Sequence, residues 1–113
     1  MPYIKTTTNV GVSAGQEQAI KQKLGKAIEI IPGKSERWLM LSIIPDVKMY
    51  FHGDADKMAF VEVSIFGRAS QQNYQALTAE ITKILGDELG IPSDYVYVKY
   101  EESSNWGWNG SNF

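Results

Sequence analysis

The sequence predicts an α+β domain: two strand–helix–strand units in tandem, joined into one four-stranded sheet with both helices on the same face. Three observations carry this. Apolar residues change period along the chain, from the two-residue alternation of strands to the helical spacing of i, i+3 and i+4. Each helical stretch is bracketed by a start signal and a stop signal. The turn Gly33-Lys34-Ser35-Glu36-Arg37-Trp38 has a counterpart at the same place in the second unit, Gly90-Ile91-Pro92-Ser93-Asp94-Tyr95.

In the first unit, Tyr3 to Val10 reads as a strand. Ser13 is an N-cap and Gln16 completes a capping-box pattern. Ile20, Leu24, Ala27, Ile28 and Ile31 then form one apolar stripe, stopped by Pro32-Gly33. Trp38 to Ile44 is the next strand, closed by Pro45-Asp46. In the second unit, Ala59 to Phe66 is rich in β-branched and aromatic residues. Ser70 or Asn73 caps a helix whose buried side carries Leu77, Ile81, Ile84, Leu85 and Leu89. Gly90 fits the position after its last turn. Tyr95 to Tyr100 is the closing strand. Each strand–helix–strand unit makes its two strands parallel with a right-handed crossover.

The chain of 113 residues is one domain, residues 1–113. It is long enough to bury roughly two-thirds of its surface. A formal charge of -2 gives no basic footprint, which argues against nucleic acid. No window approaches the ~18 apolar residues of a membrane span, and the first residues lack the pattern of a signal peptide. The cytoplasm is therefore the default compartment, and release by a non-classical route leaves no mark in a sequence. With no cysteine there is no disulfide, thiol catalysis or thiolate metal site. His52 stands alone, and Asp46, Asp54 and Asp56 near it read as turn residues, so no metal is expected.

Pro2 is the residue with chemistry attached. Once Met1 is trimmed, its nitrogen becomes a secondary amine at the tip of a strand. Before trimming, the same nitrogen is an amide without basicity. An ordinary α-amine titrates near ~8, and burial or a neighbouring cation lowers that value. A base whose pKa lies near the working pH suits proton transfer.

One face of the sheet is left without cover. Phe60 and Phe66 alternate with Glu62 and Ser64 there, and Tyr97 and Lys99 alternate against Val96 and Val98. The tail from Asn105 to Phe113 adds Trp106, Trp108 and Phe113. Such an aromatic surface, with two sheet edges beside it, points to a pocket or to self-association.

Taken in order, these features resemble the macrophage migration inhibitory factor family of the tautomerase superfamily. The likeness rests on the Pro2 start, Thr8-Asn9-Val10, Gly33-Lys34, Ile44-Pro45-Asp46, Phe66-Gly67, Tyr95-Val96-Tyr97-Val98 and the ending Trp106-Gly107-Trp108-Asn109-Gly110-Ser111-Asn112-Phe113. It implies a homotrimer with sites between neighbouring subunits. It implies a cofactor-free keto–enol isomerase acting on small aromatic keto acids such as phenylpyruvate, and on dopachrome-like compounds. Pro2 takes the place of the catalytic base. Lys34 takes the place of the lysine that binds the substrate carboxylate, and the residue also suits a helix C-terminus as a cation. Phe66 offers its backbone N–H to the substrate. Tyr97 comes from a neighbouring subunit. Trp38, Trp106, Trp108 and Phe113 fall on the pocket wall, where packing within the core or an interface is their other reading.

The chain departs from the family pattern in three places. Lys99 stands where asparagine is usual, adding a cation for anion binding. Ala59 and Glu62 stand where the vertebrate cytokine has a Cys-x-x-Cys pair. The stretch between Tyr100 and Asn105 is short. Two other readings remain at this point: a signalling protein with a vestigial pocket, its receptor not readable from sequence, and another superfamily reaction such as decarboxylation or dehalogenation. The latter calls for extra arginines, and neither Arg37 nor Arg68 is expected in the pocket.

Overall fold

The computed structural model describes residues 1–113. Strand β1 (Pro2–Thr8) leads into helix α1 (Ala14–Ala27), then β2 (Met40–Ile44), β3 (Ala59–Phe66), α2 (Gln71–Leu89) and β4 (Val96–Ser103). The sheet order is β2-β1-β3-β4. β1 and β2 are parallel, as are β3 and β4, while the two units meet through an antiparallel β1–β3 pair. The predicted α+β arrangement is therefore observed, with the two sequence units side by side in one sheet.

Local signals explain the elements. The Ser13 side chain accepts from the Gln16 N–H while the Gln16 side chain accepts from the Ser13 N–H, a closed capping box. Ser70, not Asn73, caps α2, accepting from the Asn73 N–H at 3.0 Å. α1 ends at Ala27 and tightens into a single 3-10 turn, Ile28–Ile30, before Pro32. Gly90 closes α2.

The two central strands alternate strictly. Ile4, Thr6 and Thr8 of β1 and Val61, Val63 and Ile65 of β3 point under the helices. They meet Ile20, Leu24 and Ile28 from the first helical segment and Leu77, Ile81, Ile84 and Leu85 from α2 in one core. Each such aliphatic side chain contributes roughly 1.5–3 kcal/mol by leaving water. Thr8 Oγ1 donates to the Met58 carbonyl at 2.7 Å, whereas Thr6 Oγ1 is buried without a partner.

Strand boundaries differ from the sequence reading: β1 begins at Pro2 and ends at Thr8 rather than running from Tyr3 to Val10, and β4 runs on past Tyr100 to Ser103. Trp38 closes a 3-10 turn, Glu36–Trp38, and does not begin β2, because the Trp38 and Leu39 amides are spent on Ser35 and Glu36 carbonyls. Tyr95 likewise closes the turn Ser93–Tyr95, its N–H going to Pro92. The tail, to which the sequence reading assigned no element, forms a hairpin of β5 (Gly107–Trp108) and β6 (Ser111–Asn112). Asn109 and Gly110 connect them at φ 53° and 85°, the double positive φ of a two-residue hairpin turn.

Candidate active site

β1 sits in the middle of the sheet, so its first residue is fixed from both sides. Pro2 is buried and lies in register with Ile65. One step further along the same ladder, the Phe66 N–H donates to the Met1 carbonyl at 3.0 Å. Pro2 nitrogen is thus a peptide nitrogen here, held at the open end of the β1–β3 pair.

Lys34 reaches this end from the first helix-to-strand turn. Gly33 takes φ 81°, a left-handed conformation that a side chain would strain, and so turns the chain out of the helical segment. The Lys34 ammonium then donates to the Phe66 carbonyl at 2.8 Å. The Phe66 N–H and C=O therefore hold Met1 and Lys34 beside each other. The electrostatics follow. The Met1 amine is lowered from 8.0 to about 6, first because burial disfavours its charged form and then because the Lys34 ammonium lies next to it.

A run of aromatic rings extends away from Phe66. Phe113 tilts against Phe66 at 5.4 Å between centroids, Trp108 lies parallel to Phe113 at 6.5 Å, and Trp38 meets Trp108 edge-on at 5.0 Å. The hairpin that presents Trp108 is tied by the Phe113 N–H to the Trp106 carbonyl at 3.1 Å. Trp106 itself turns to a neighbouring shallow depression on the open sheet face, shared with Tyr3, Met40 and Ser64. Just beyond Phe66, the Gly67 N–H bonds the Ser103 carbonyl, and Glu102 accepts from the Tyr74 hydroxyl at 2.6 Å and from the Ala69 N–H. The Tyr74 hydroxyl, followed by the Ala69 N–H, holds the Glu102 carboxyl below its usual range.

Of the residues singled out in the sequence, Pro2, Lys34, Phe66, Phe113, Trp108 and Trp38 form one connected group. Tyr97 and Lys99 do not join it. Tyr97 pairs with Phe60 and Lys99 with Glu62, while Pro2 is level with Ile65. At ~3.3 Å per residue, Tyr97 is about 17 Å down the sheet from Pro2 of the same chain. Lys99 is also not a bare cation: its ammonium lies 3.0 Å from Glu101 and 3.6 Å from Glu62. Glu101 in particular holds it above the ordinary lysine range. Beside Tyr97, the Phe51 ring packs at 4.9 Å, and Met49, Tyr50, Met58 and Phe60 complete an apolar hollow of about 170 Å³.

Two features escaped the sequence reading. The hairpin was signalled by the Asn-Gly pair between the short flanking runs. Arg37, set outside the pocket by that reading, lies with its guanidinium 5.2 Å from the Trp38 ring centroid. No group of three or more His, Cys, Asp or Glu is placed to hold a metal ion, and no helix is long and apolar enough to cross a membrane.

Comparison with known proteins bears on this group of residues. The family model for macrophage migration inhibitory factor matches residues 1–113. The macrophage migration inhibitory factor of Rattus norvegicus is 32% identical over 121 residues, spanning 100% of this chain and 99% of the relative. The crystal structure of MIF2 from Leishmania major superposes with a TM-score of 0.93 at 26% identity, covering 100% of this chain and 97% of the other. The homologue from Prochlorococcus marinus gives 0.82 at 29% identity, covering 98% of each chain.

Proposed function

Because the chain belongs to the macrophage migration inhibitory factor family, with the fold of the tautomerase superfamily, we propose that it is a cofactor-free keto–enol tautomerase of small aromatic α-keto acids such as phenylpyruvate, and of dopachrome-like compounds. The observation that carries this reading is the convergence on Phe66: the start of β1, the Lys34 ammonium and the first ring of the aromatic run all meet at one backbone unit.

In this reading removal of Met1 does two things. It turns Pro2 nitrogen into a secondary amine, and it releases the Phe66 N–H from the Met1 carbonyl. Burial and the Lys34 ammonium, which act on the Met1 amine, act in the same direction on an amine one residue later. The neutral Pro2 amine takes a proton from the carbon next to the carbonyl. The C–H electron pair becomes the C=C bond of the enol, and the C=O π pair moves onto oxygen. The proton taken by Pro2 passes to that oxygen directly or through water, so the product is an isomer, Pro2 is neutral again and nothing else is consumed. Lys34 holds the carboxylate, and the rings from Phe113 to Trp38 hold the aromatic end.

The reading also calls for a homotrimer. Tyr97 and Lys99 lie too far along the sheet to act on their own Pro2, so a neighbouring chain supplies them. The unpaired edges β2 and β4 and the exposed Met40, Ile44, Tyr50 and Tyr97 support such an assembly. The relatives' name supports a second reading, a signalling protein whose pocket is idle.

One experiment separates them: phenylpyruvate tautomerisation by Met1-processed and unprocessed protein side by side, with intact mass and light scattering on each sample. The enzyme reading expects a trimer mass and turnover that tracks the processed fraction. Turnover independent of that fraction would remove Pro2 as the base, and no turnover in either sample would favour the idle pocket.

A further inference from the structure

The helix-to-strand turn at Gly33 carries two cations, Lys34 and Arg37, and the structure sends them to opposite ends of the aromatic run. Lys34 goes to the Phe66 carbonyl, where the run begins. Arg37 lies against Trp38, where it ends, 5.2 Å from the ring centroid. Between them stand Phe113 and Trp108, in ring contact with each other and with the two end members.

Arg37 has no acid to neutralise it. It takes part in none of the chain's ion pairs, which join Lys23 to Glu88, Lys83 to Asp87, and Lys99 to Glu62 and Glu101. The nearest acid in sequence, Glu36, turns the other way, its carboxylate lying over Gly25 of α1, where a Cβ would overlap it. The one-turn helix Glu36–Trp38 causes this divergence, since consecutive residues in a tight turn leave it in different directions. A guanidinium held over an indole face by a cation–π contact keeps N–H donors for a further partner, and its planar fork matches a carboxylate with two parallel hydrogen bonds.

We propose that Arg37, held by Trp38, is a second anion subsite at the outer end of the aromatic run, selecting aromatic keto acids that carry another carboxylate on the ring remote from the keto acid group. This rests on the tautomerase reading and extends it: Lys34 takes the α-carboxylate, the rings take the aromatic body, and Arg37 takes the far carboxylate. The substrate class becomes an aromatic keto diacid. Because Arg37 is exposed, its selectivity is modest and salt-dependent.

The test compares phenylpyruvate with 4-carboxyphenylpyruvate on full-length processed protein, as wild type, Arg37→Gln and Arg37→Lys. Wild type is expected to favour the diacid in kcat/KM by about three- to fivefold at low salt, the size of an exposed ion pair. Arg37→Gln should abolish that preference through KM for the diacid, with kcat for the diacid holding. Arg37→Lys should restore only part of it, because an ammonium has no planar fork to stack and pair. A preference ratio that is the same in wild type and Arg37→Gln overturns the proposal, as does a wild type with no preference. If neither compound is turned over, the tautomerase reading fails by itself, and calorimetric binding of the two compounds decides on Arg37. Tighter diacid binding that is lost in Arg37→Gln supports the subsite, and equal binding overturns it.

Discussion

The two halves of the molecule share a plan and differ in chemistry, and the helix-to-strand turns show where they part. Gly33 and Gly90 both take positive φ, and both turns finish in a single 3-10 turn that ends on an aromatic residue, Trp38 or Tyr95. The residue after the glycine is Lys34 in the first half and Ile91 in the second. Lys34 is half-exposed and spends its ammonium on Phe66, whereas Ile91 is buried in the core. Three residues later stand Arg37 and Asp94, opposite in charge. The closing aromatics diverge as well: Trp38 joins the ring run of the candidate site, while the Tyr95 hydroxyl donates to Asp54 at 2.6 Å and braces a loop. A duplicated backbone therefore supplies the scaffold twice, and side chains at matched positions confine the proposed chemistry to one copy.

Five substitutions break or sharpen that contrast. The largest effect belongs to Pro2, whose strand counterpart begins with Ala59. Pro2→Gly should lower phenylpyruvate turnover by about 10²–10⁴-fold, the usual contribution of a general base, with the same mass as wild type in light scattering. Wild-type turnover in that variant would place the base elsewhere.

Exchanging the residues after the two glycines comes next. Ile91→Lys buries an uncompensated ammonium and should cost more than about 3 kcal/mol in urea unfolding. Lys34→Ile loses one hydrogen bond at a half-exposed position and should cost about 1 kcal/mol. Similar costs for both would mean that the turns are not differentiated as described.

Lys34→Ala tests the chemical side of the same position. KM for phenylpyruvate should rise about tenfold and KM for its methyl ester much less, because the ester lacks the charge. The pH profile should shift too. In the proposed mechanism the active amine is the neutral form, and the burial and Lys34 charge that lower the Met1 amine act on it in the same direction, so turnover is expected to rise with pH at a lower pH than for a free α-amine. Removing the lysine leaves only burial, and the rising limb should move to higher pH. A limb that stays in place would show that the lysine charge does not act on the base.

The smallest effect lies in the paired central strands. Thr6 sits in β1 under the helices with its hydroxyl unpaired, where β3 uses valine at the corresponding inward positions. Thr6→Val should raise stability by about 1 kcal/mol, read as a higher urea midpoint at constant slope. A loss of stability would indicate a partner for that hydroxyl.

Much of the fold was legible because its signals are local. The capping box at Ser13, the glycine at the end of α2 and the alternation of β3 each lie within a few residues, and each element formed where those signals set it. Trp38 and Tyr95 were placed in strands because aromatic residues favour them; tight turns took their amides first. In the candidate site, the resemblance named Pro2, Lys34, Phe66, Trp38, Trp108 and Phe113, which the fold brings together, and Trp106, which it turns to a neighbouring depression. The position of Arg37 was not legible, since it depends on the direction in which a three-residue turn releases its side chains. The pairing of Lys99 with two acids was equally hidden, because Glu62 is brought to it only by the β3–β4 register.

Met1 and Phe113 both rest on Phe66: the Met1 carbonyl on its amide, and the Phe113 ring on its own ring. An affinity handle attached at Met1 or at Phe113 would become part of the very surface it is meant to leave undisturbed. A handle belongs instead on the outer side of α2, where Gln75 is exposed. Since the chain has no cysteine of its own, Gln75→Cys would give one unique attachment point for a dye or a solid support.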